Sequence, residues 1–391
     1  MGNQTEQPHI LILNQMAGPI TWELAEDIAN TLGQVALLTG HPDTLQKSHP
    51  NIQMSPATPY DRANFPRRII SWVRYWIQAF FWLWRWPKDT PILLFSNPPF
   101  LCWLGWFANV LRGTPFTVMV HDIYPDVLVK MGGFNENRPI IGLWQRLNGR
   151  AYERATAVMT LGEYMAQTLG AQFDASKTPH GSIEVIYLWV DVNKIKPIPK
   201  HENWFAEKHN QIDKLTVMYS GNMGLGHDIE TMIEAAATLK DQSDIHFMFI
   251  GSGPKWQIVE HVKQEKKLEN VTLLGWQPEE SFPYALSTAD LAFVSLEEEM
   301  QGLAIPSKAI YSMAAGSAIL AITQPKCELG EWVNLYDCGA VTPPGDVNEL
   351  VQQILTYRNP EKLHAHKANA RRTAEERYSR QNTQQLIQLA K

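Results

Sequence analysis

The chain has 391 residues, 45% of them hydrophobic and 19% charged. That composition supplies two sizeable cores and excludes a single small module, a disordered chain or a collagen-like one. Forty acidic residues against 34 basic ones give a net charge of −6, which argues against a generally basic nucleic-acid binder.

Tryptophan is the residue type out of line: there are 14, as many as phenylalanines. Seven of them (Trp72, Trp76, Trp82, Trp84, Trp86, Trp103 and Trp106) fall within 35 residues. Charge is uneven as well. Residues 1–150 hold 12 Lys/Arg and 10 Asp/Glu, and the remainder holds 22 against 30. A Trp-rich, slightly basic first half is compatible with an anionic membrane surface, although composition by itself favours the simpler reading of a large aromatic core.

In chain order, Gly2–Pro8 is polar, and Ile10–Leu13 is too short for the apolar region of a secretory signal. It reads as a first buried strand. A loop, Asn14–Thr21, leads into a helical stretch, Trp22–Leu32. Gln34–Leu38, Pro91–Phe95, Phe116–Val120 and Ala157–Thr160 are further strands. Strand and helix alternating at this spacing predict a parallel, doubly wound sheet. The pattern restarts after the Pro/Lys-rich stretch Lys194–Lys200, with strands at Leu215–Tyr219, His246–Ile250, Val271–Leu274, Leu291–Val294 and Ala318–Ile322. Pro360–Lys391 is polar and helical. The boundaries expected are 1–195, 196–370 and a terminal helix 371–391 that returns to the first domain. Two such α/β domains place a ligand cleft at the carboxyl ends of their strands. The three cysteines are far apart, carry no metal-ligand spacing and read as reduced thiols of a cytosolic protein.

Within a helix expected over 67–86, Arg67, Ser71, Arg74, Gln78 and Arg85 share a sector of roughly 60° at about 100° per residue. Nearly everything else there is apolar or aromatic. The longest uncharged run, Tyr75–Trp84, is about half of a bilayer span. An interfacial helix fits better, with Trp76 and its neighbours at headgroup depth and Arg67, Arg74 and Arg85 on lipid phosphates. A helix buried between the sheet and another helix stays open. Phe100–Leu111 can share the same surface.

Three further segments can carry chemistry. His121 and Asp122 end an apolar strand, where a neutral imidazole can hydrogen-bond a substrate hydroxyl or a developing charge. Tyr219–His227 (YSGNMGLGH) is a glycine-rich turn after a strand, suited to close approach of a phosphate or simply to a tight turn. Lys308, in Ile305–Lys308, sits in the first turn of a helix, where its charge can act on an anion.

Together HDIYPD, YSGNMG, GSGP, LLGW and PSKAIYSMAAG resemble the family 4 glycosyltransferases, retaining enzymes of the GT-B fold that use nucleotide-sugar donors without a metal. The likeness covers nearly the whole chain and is nearest to the branch that builds bacterial polysaccharides and glycolipids. It implies two Rossmann-like domains facing across a cleft, with the terminal helix crossing back to the first. It further implies that His121 contacts the sugar at the reaction centre and that Lys308 neutralises the diphosphate. Gly18, Gly221, Asn222 and Ser307 would lie near the donor phosphates, and Trp276 and Gln277 would hold the base. There are departures: Asn222 and His227 stand where many members carry Arg and Lys, and Leu303 and Tyr311 where many carry a glutamate pair.

The function so implied is transfer of a hexose, from a UDP-sugar by preference, to a lipid or lipid-linked hydroxyl by a cytoplasmic enzyme attached to the inner face of a membrane. No metal or other cofactor is required. Capture of the leaving diphosphate and positioning of the acceptor supply the catalysis. A non-catalytic nucleotide-sugar or glycan-binding partner, and an enzyme with a soluble acceptor, are the alternatives.

Overall fold

The computed structural model describes residues 7–61, 64–130, 138–296 and 298–390. The chain divides into two units, residues 1–187 with 381–391, and residues 188–380. The Pro/Lys-rich stretch Lys194–Lys200 therefore lies inside the second unit.

The first unit carries a seven-stranded parallel sheet: β1 (Ile10–Leu13), β2 (Val35–Thr39), β3 (Ile52–Pro56), β4 (Ile92–Phe95), β5 (Phe116–Val120), β6 (Val158–Thr160) and β7 (Ile183–Val185), in the order β3-β2-β1-β4-β5-β6-β7. The runs ILIL, VALLT, ILLF and FTVMV are buried along their whole length, as strands covered by helices on both faces must be. The second unit has β8 (Leu215–Asn222), β9 (Ile245–Ser252), β10 (Val271–Leu274), β11 (Leu291–Ser295), β12 (Ala318–Ile322) and β13 (Gly339–Thr342), in the order β10-β9-β8-β11-β12-β13. Strand order reverses between β1 and β4 and again between β8 and β11. Those crevices, beyond the carboxyl ends of the strands, are where doubly wound sheets bind ligands.

The helices of the first unit include α1 (Pro19–Leu32), α2 (Phe65–Leu83) and α3 (Leu101–Arg112). Asn64 caps α2 by accepting from the Arg67 amide at 3.0 Å, and Gly113, at φ 73°, closes α3 in the left-handed conformation. The helix expected over 67–86 thus begins and ends earlier: Trp84 is its C-cap, and Arg85 lies in the turn beyond. The polar stretch after Pro360 is two helices where one was expected. Pro360–Arg377 stays in the second unit against helix Ser307–Ala314, and Asn382–Ala390 packs on α1 and β5 in the first.

A buried ionic pin ties the second unit's lower edge together. Asp290 accepts from Lys200, from Lys367 at 2.9 Å and from the Thr216 amide at 3.0 Å, and these partners hold its carboxyl below the usual range despite burial.

Candidate active site

In the second unit the switch point between β8 and β11 is lined by glycines that leave no room for side chains. Gly221, at φ 135°, and its neighbour Gly251, at φ 134°, are paired across β8 and β9. A Cβ on Gly221 would lie 2.5 Å from Cε of Lys308, and one on Gly251 would lie 2.0 Å from the Gly221 carbonyl oxygen. The opening thus formed is filled by Lys308, second residue of helix Ser307–Ala314, whose N-terminus no side chain caps.

Lys308 Nζ donates to the Tyr219 hydroxyl and to the Asn222 carbonyl at 3.0 Å, and lies 3.3 Å from His227 Nε2. All three partners are neutral, and among the described residues no carboxylate pairs with it. Burial of an ammonium without a counter-ion pulls its pKa from 10.5 down to about 7. Such a site gains most from an anion that completes the missing charge pair.

From Lys308 the rim continues along the strand ends. Asn222 pairs with Ser252 in register, and Ser252 Oγ accepts from the exposed Trp276 indole at 2.6 Å. Trp276 lines a hollow of about 600 Å³ with Gly251, Ser252, Gly253 and Trp256. Gln277 folds back, donating to the Gly275 carbonyl at 2.9 Å. Phosphate-accepting groups at one end and a flat, exposed ring at the other suit a molecule that is anionic at one part and aromatic at another. Gly221, Asn222, Lys308 and Trp276 are thereby on one continuous edge, and Ser307 is the adjoining first residue of the Lys308 helix.

In the first unit His121 and Asp122 follow β5. Both backbone amides donate to Ser96 Oγ, at 3.0 and 3.2 Å, which fixes the turn. The imidazole meets Phe95 edge-on with ring centroids 5.2 Å apart. Burial lowers His121 to about 4 and raises Asp122 to about 6, so the ring is neutral at pH 7 and acts through hydrogen bonds. Gly18 is the N-cap of α1, after a loop braced by Asn14, which accepts from the Met16 amide and donates to Thr21 Oγ1.

The aromatic helix α2 has three sectors. Trp72, Tyr75, Ala79 and Trp82 are buried, whereas Ile70, Val73, Ile77 and Phe81 are exposed, Phe81 to 63%. At about 100° per residue the two sets are centred roughly 180° apart, with Arg67 and Arg74 along the edge between them. The polar stripe is internal at one position: Ser71 is buried and accepts from the Asp61 amide, whereas Gln78 is exposed, its Oε1 accepting from Thr58. Arg67 and Arg74 line a hollow of about 550 Å³ with Thr58–Asp61, Ile70 and Ser71. Trp76 is half-buried, stacking on Phe80 and meeting Phe107 of α3 edge-on. The buried-helix alternative accounts for one face only.

The exposed apolar face extends beyond α2. The neighbouring α3 exposes Phe107, Val110 and Leu111, and helix Pro139–Tyr152, packed on α3, exposes Ile140 and Leu143. Across these three helices every charged residue is an arginine, six in all. No helix among the described residues is long and apolar enough to cross a membrane.

Comparison with known proteins bears on both units. Residues 17–189 match the family described as glycosyl transferase 4-like domain, and residues 214–359 match glycosyl transferases group 1. The chain belongs to the family 4 glycosyltransferases. WbjE of Pseudomonas aeruginosa, named as a glycosyltransferase, is 26% identical over 267 residues, covering 68% of this chain and 66% of WbjE. WcaI of Escherichia coli K12, whose name assigns it to colanic acid biosynthesis, is 29% identical over 178 residues, 44% of this chain and 43% of WcaI. The aligned part is thus just under two thirds of one relative and under half of the other. Among solved structures, HepE of Anabaena with UDP and glucose superposes with a TM-score of 0.72 at 17% identity, covering 97% of this chain and 98% of HepE. The glycosyltransferase thus has the GT-B architecture of two Rossmann-like units.

Two site features of this glycosyltransferase escape a reading of its sequence. Tyr219 is placed by its hydroxyl, which reaches both Lys308 and the Asn222 carbonyl. His227 is placed by a contact with Ser295, 68 positions away. The glutamate-pair positions hold a buried Leu303 and a Tyr311 packed edge-on against Phe282.

Proposed function

We propose that this glycosyltransferase moves a hexose from a nucleotide-diphosphate sugar to a hydroxyl of a lipid or lipid-linked acceptor, with retention at the anomeric carbon. The observation that carries the donor half is Lys308, a part-buried ammonium whose partners are all neutral. A diphosphate supplies the counter-charge, and as the leaving group it gains negative charge in the transition state, where Lys308 stabilises it most. A UDP-sugar is the donor favoured by the likeness to HepE, which binds UDP and glucose. Trp276 and Gln277 serve the base, Gly221, Asn222 and Ser307 the phosphates, and Gly18 the phosphates and sugar. His121, neutral in the working range, hydrogen-bonds the transferred sugar. Attack comes from the leaving-group face, where a phosphate oxygen takes the acceptor's proton. No metal or other cofactor takes part.

The acceptor half rests on the apolar face of α2, α3 and helix Pro139–Tyr152. Arg67 and Arg74 border it at a hollow of about 550 Å³ suited to the phosphate of a lipid headgroup or lipid-linked sugar. Arg85 continues the basic edge, and Trp76 lies at headgroup depth. The enzyme works at the cytoplasmic, inner face of a membrane, held peripherally. The relative named for colanic acid biosynthesis favours an acceptor in bacterial polysaccharide synthesis.

The test is a panel of nucleotide sugars incubated with the full chain and bacterial lipid extract. Release of nucleoside diphosphate together with label in the lipid phase is the expected result. Release driven only by water-soluble acceptors overturns the lipid assignment. Binding of a nucleotide sugar without turnover on any acceptor overturns the enzymatic one.

A further inference from the structure

His227 ends the glycine-rich turn that follows β8, at a position for which the donor reading gives no role. Its Nδ1 lies 2.9 Å from the carbonyl oxygen of Ser295, the last residue of β11. A carbonyl only accepts, so Nδ1 carries the ring hydrogen and Nε2 holds the lone pair of the neutral imidazole. That lone pair faces Lys308 Nζ at 3.3 Å. The ring thus spans the switch point of the sheet, with one nitrogen fixed to the β11 end and the other turned toward the lysine of the donor site.

The charges that act on its ring are cationic. From helix Ser307–Ala314 comes Lys308; from β8, Tyr219, with ring centroids 6.2 Å apart. From the turn after β9 comes Lys255, whose Nζ donates to the His227 carbonyl at 2.7 Å and to Glu230 at 3.0 Å. The two carboxylates next along the chain are both engaged elsewhere: Asp228 accepts from the Thr231 amide and hydroxyl and from the Gly345 amide, and Lys255 holds Glu230. Burial first, then Lys308, lowers His227 to about 4, and burial lowers Lys308 to about 7. Two ring-and-chain nitrogens 3.3 Å apart cannot both bear charge cheaply without an anion between them.

We infer that His227 is a second cation of the donor site, supplied on demand: neutral in the empty protein, it takes up one proton when a nucleotide-sugar diphosphate enters. The entering oxygens replace Nε2 as acceptor for Lys308, and Nε2, now protonated from solvent, donates to a phosphate oxygen. This rests on the donor reading of the proposed function and goes beyond it. The histidine does what a fixed cation would do, but only while the diphosphate is present. Donor affinity therefore falls as pH rises from 6 toward 8, because the proton to be taken up becomes scarcer.

Proton uptake is measurable directly. The full chain is titrated calorimetrically with UDP-, GDP-, dTDP- and ADP-sugars at pH 6 and pH 8, each in two buffers of different ionisation enthalpy. These diphosphates are diesters with no group titrating near neutrality, so uptake belongs to the protein. At pH 6 Lys308 is mostly charged already, and the count reports His227. The wild-type chain is expected to take up more than about half a proton at pH 6. His227→Gln is expected to abolish that uptake and to bind about tenfold more weakly at pH 6. At pH 8, uptake by Lys308 persists in both. Binding with less than about 0.2 proton taken up by the wild type at pH 6, or with uptake unchanged in His227→Gln, overturns the inference. The wild-type count stands even where the variant folds poorly. Failure of every nucleotide sugar to bind is a different result, and overturns the donor reading itself.

Discussion

Gly221 and Lys308 share one volume: a Cβ on the glycine would fall 2.5 Å from the lysine Cε. The backbone of β8's end and the stem of the lysine are therefore fitted to each other, and Gly221 holds φ 135°, which other residues rarely adopt. Gly221→Ala is expected to displace Lys308 and to cost about 1–3 kcal/mol of stability. Turnover should fall at least tenfold, read as nucleoside diphosphate release, with the loss in stability read from urea melts.

Lys308→Met separates function from stability. The Lys308 pKa is lowered on folding, from 10.5 to about 7. The charged form is thus penalised in the fold: the penalty is absent above the unfolded value, grows as pH falls toward 7 and is complete below it. Methionine removes the charge and keeps the stem. The variant is expected to be more stable than wild type at pH 6 by on the order of 3 kcal/mol, with the gain shrinking by pH 9. Turnover should fall about 100-fold or more at both.

The pair after β5 titrates in opposite directions. His121 is lowered from 6.5 to about 4, so its neutral-state stability is present above 6.5 and lost as pH falls through 4. Asp122 is raised from 3.8 to about 6, so its contribution is present below 3.8 and lost as pH rises through 6. Asp122→Asn is therefore expected to stabilise by about 1–3 kcal/mol at pH 8 and to have little effect at pH 3.5, checked by chemical denaturation at both. His121→Ala should lower turnover about 100-fold while leaving donor binding within a few-fold.

The exposed face of α2 predicts a variant that changes location without changing the fold. Ile77→Asp with Phe81→Asp alters two exposed side chains, 46% and 63% accessible, and stability should move by no more than about 1 kcal/mol. Flotation with vesicles rich in anionic phospholipid should fall at least fivefold. Arg67→Gln with Arg74→Gln should weaken flotation mainly on anionic vesicles, and more so at low salt.

Much of the fold was legible in the sequence because the central strands are covered on both faces and read as unbroken apolar runs such as Ile10–Leu13 and Leu291–Ser295. The edge strands β3 (IQMSP), β7 (IEV) and β13 (GAVT) are half covered, short or polar, and carry no such run. Lys308 and Gly221 were legible from their places at a helix start and a glycine turn. Helical spacing placed Arg67 and Arg74 on one edge but put Ser71 with them, because its hydroxyl hides the fact that it faces the core. His227 was not legible as a working residue: its tautomer depends on the Ser295 carbonyl, which only the pairing of β8 beside β11 brings within reach.

Binding of a nucleotide-sugar diphosphate at Lys308 is the assignment on which the donor chemistry depends. The direct measurement is thermal stabilisation of the full chain by a nucleotide-sugar panel, in wild type and in Lys308→Met side by side. At least one nucleotide sugar is expected to raise the wild-type Tm by several degrees, and none is expected to raise the variant's. A nucleotide sugar that stabilises both proteins equally would show that the diphosphate binds elsewhere.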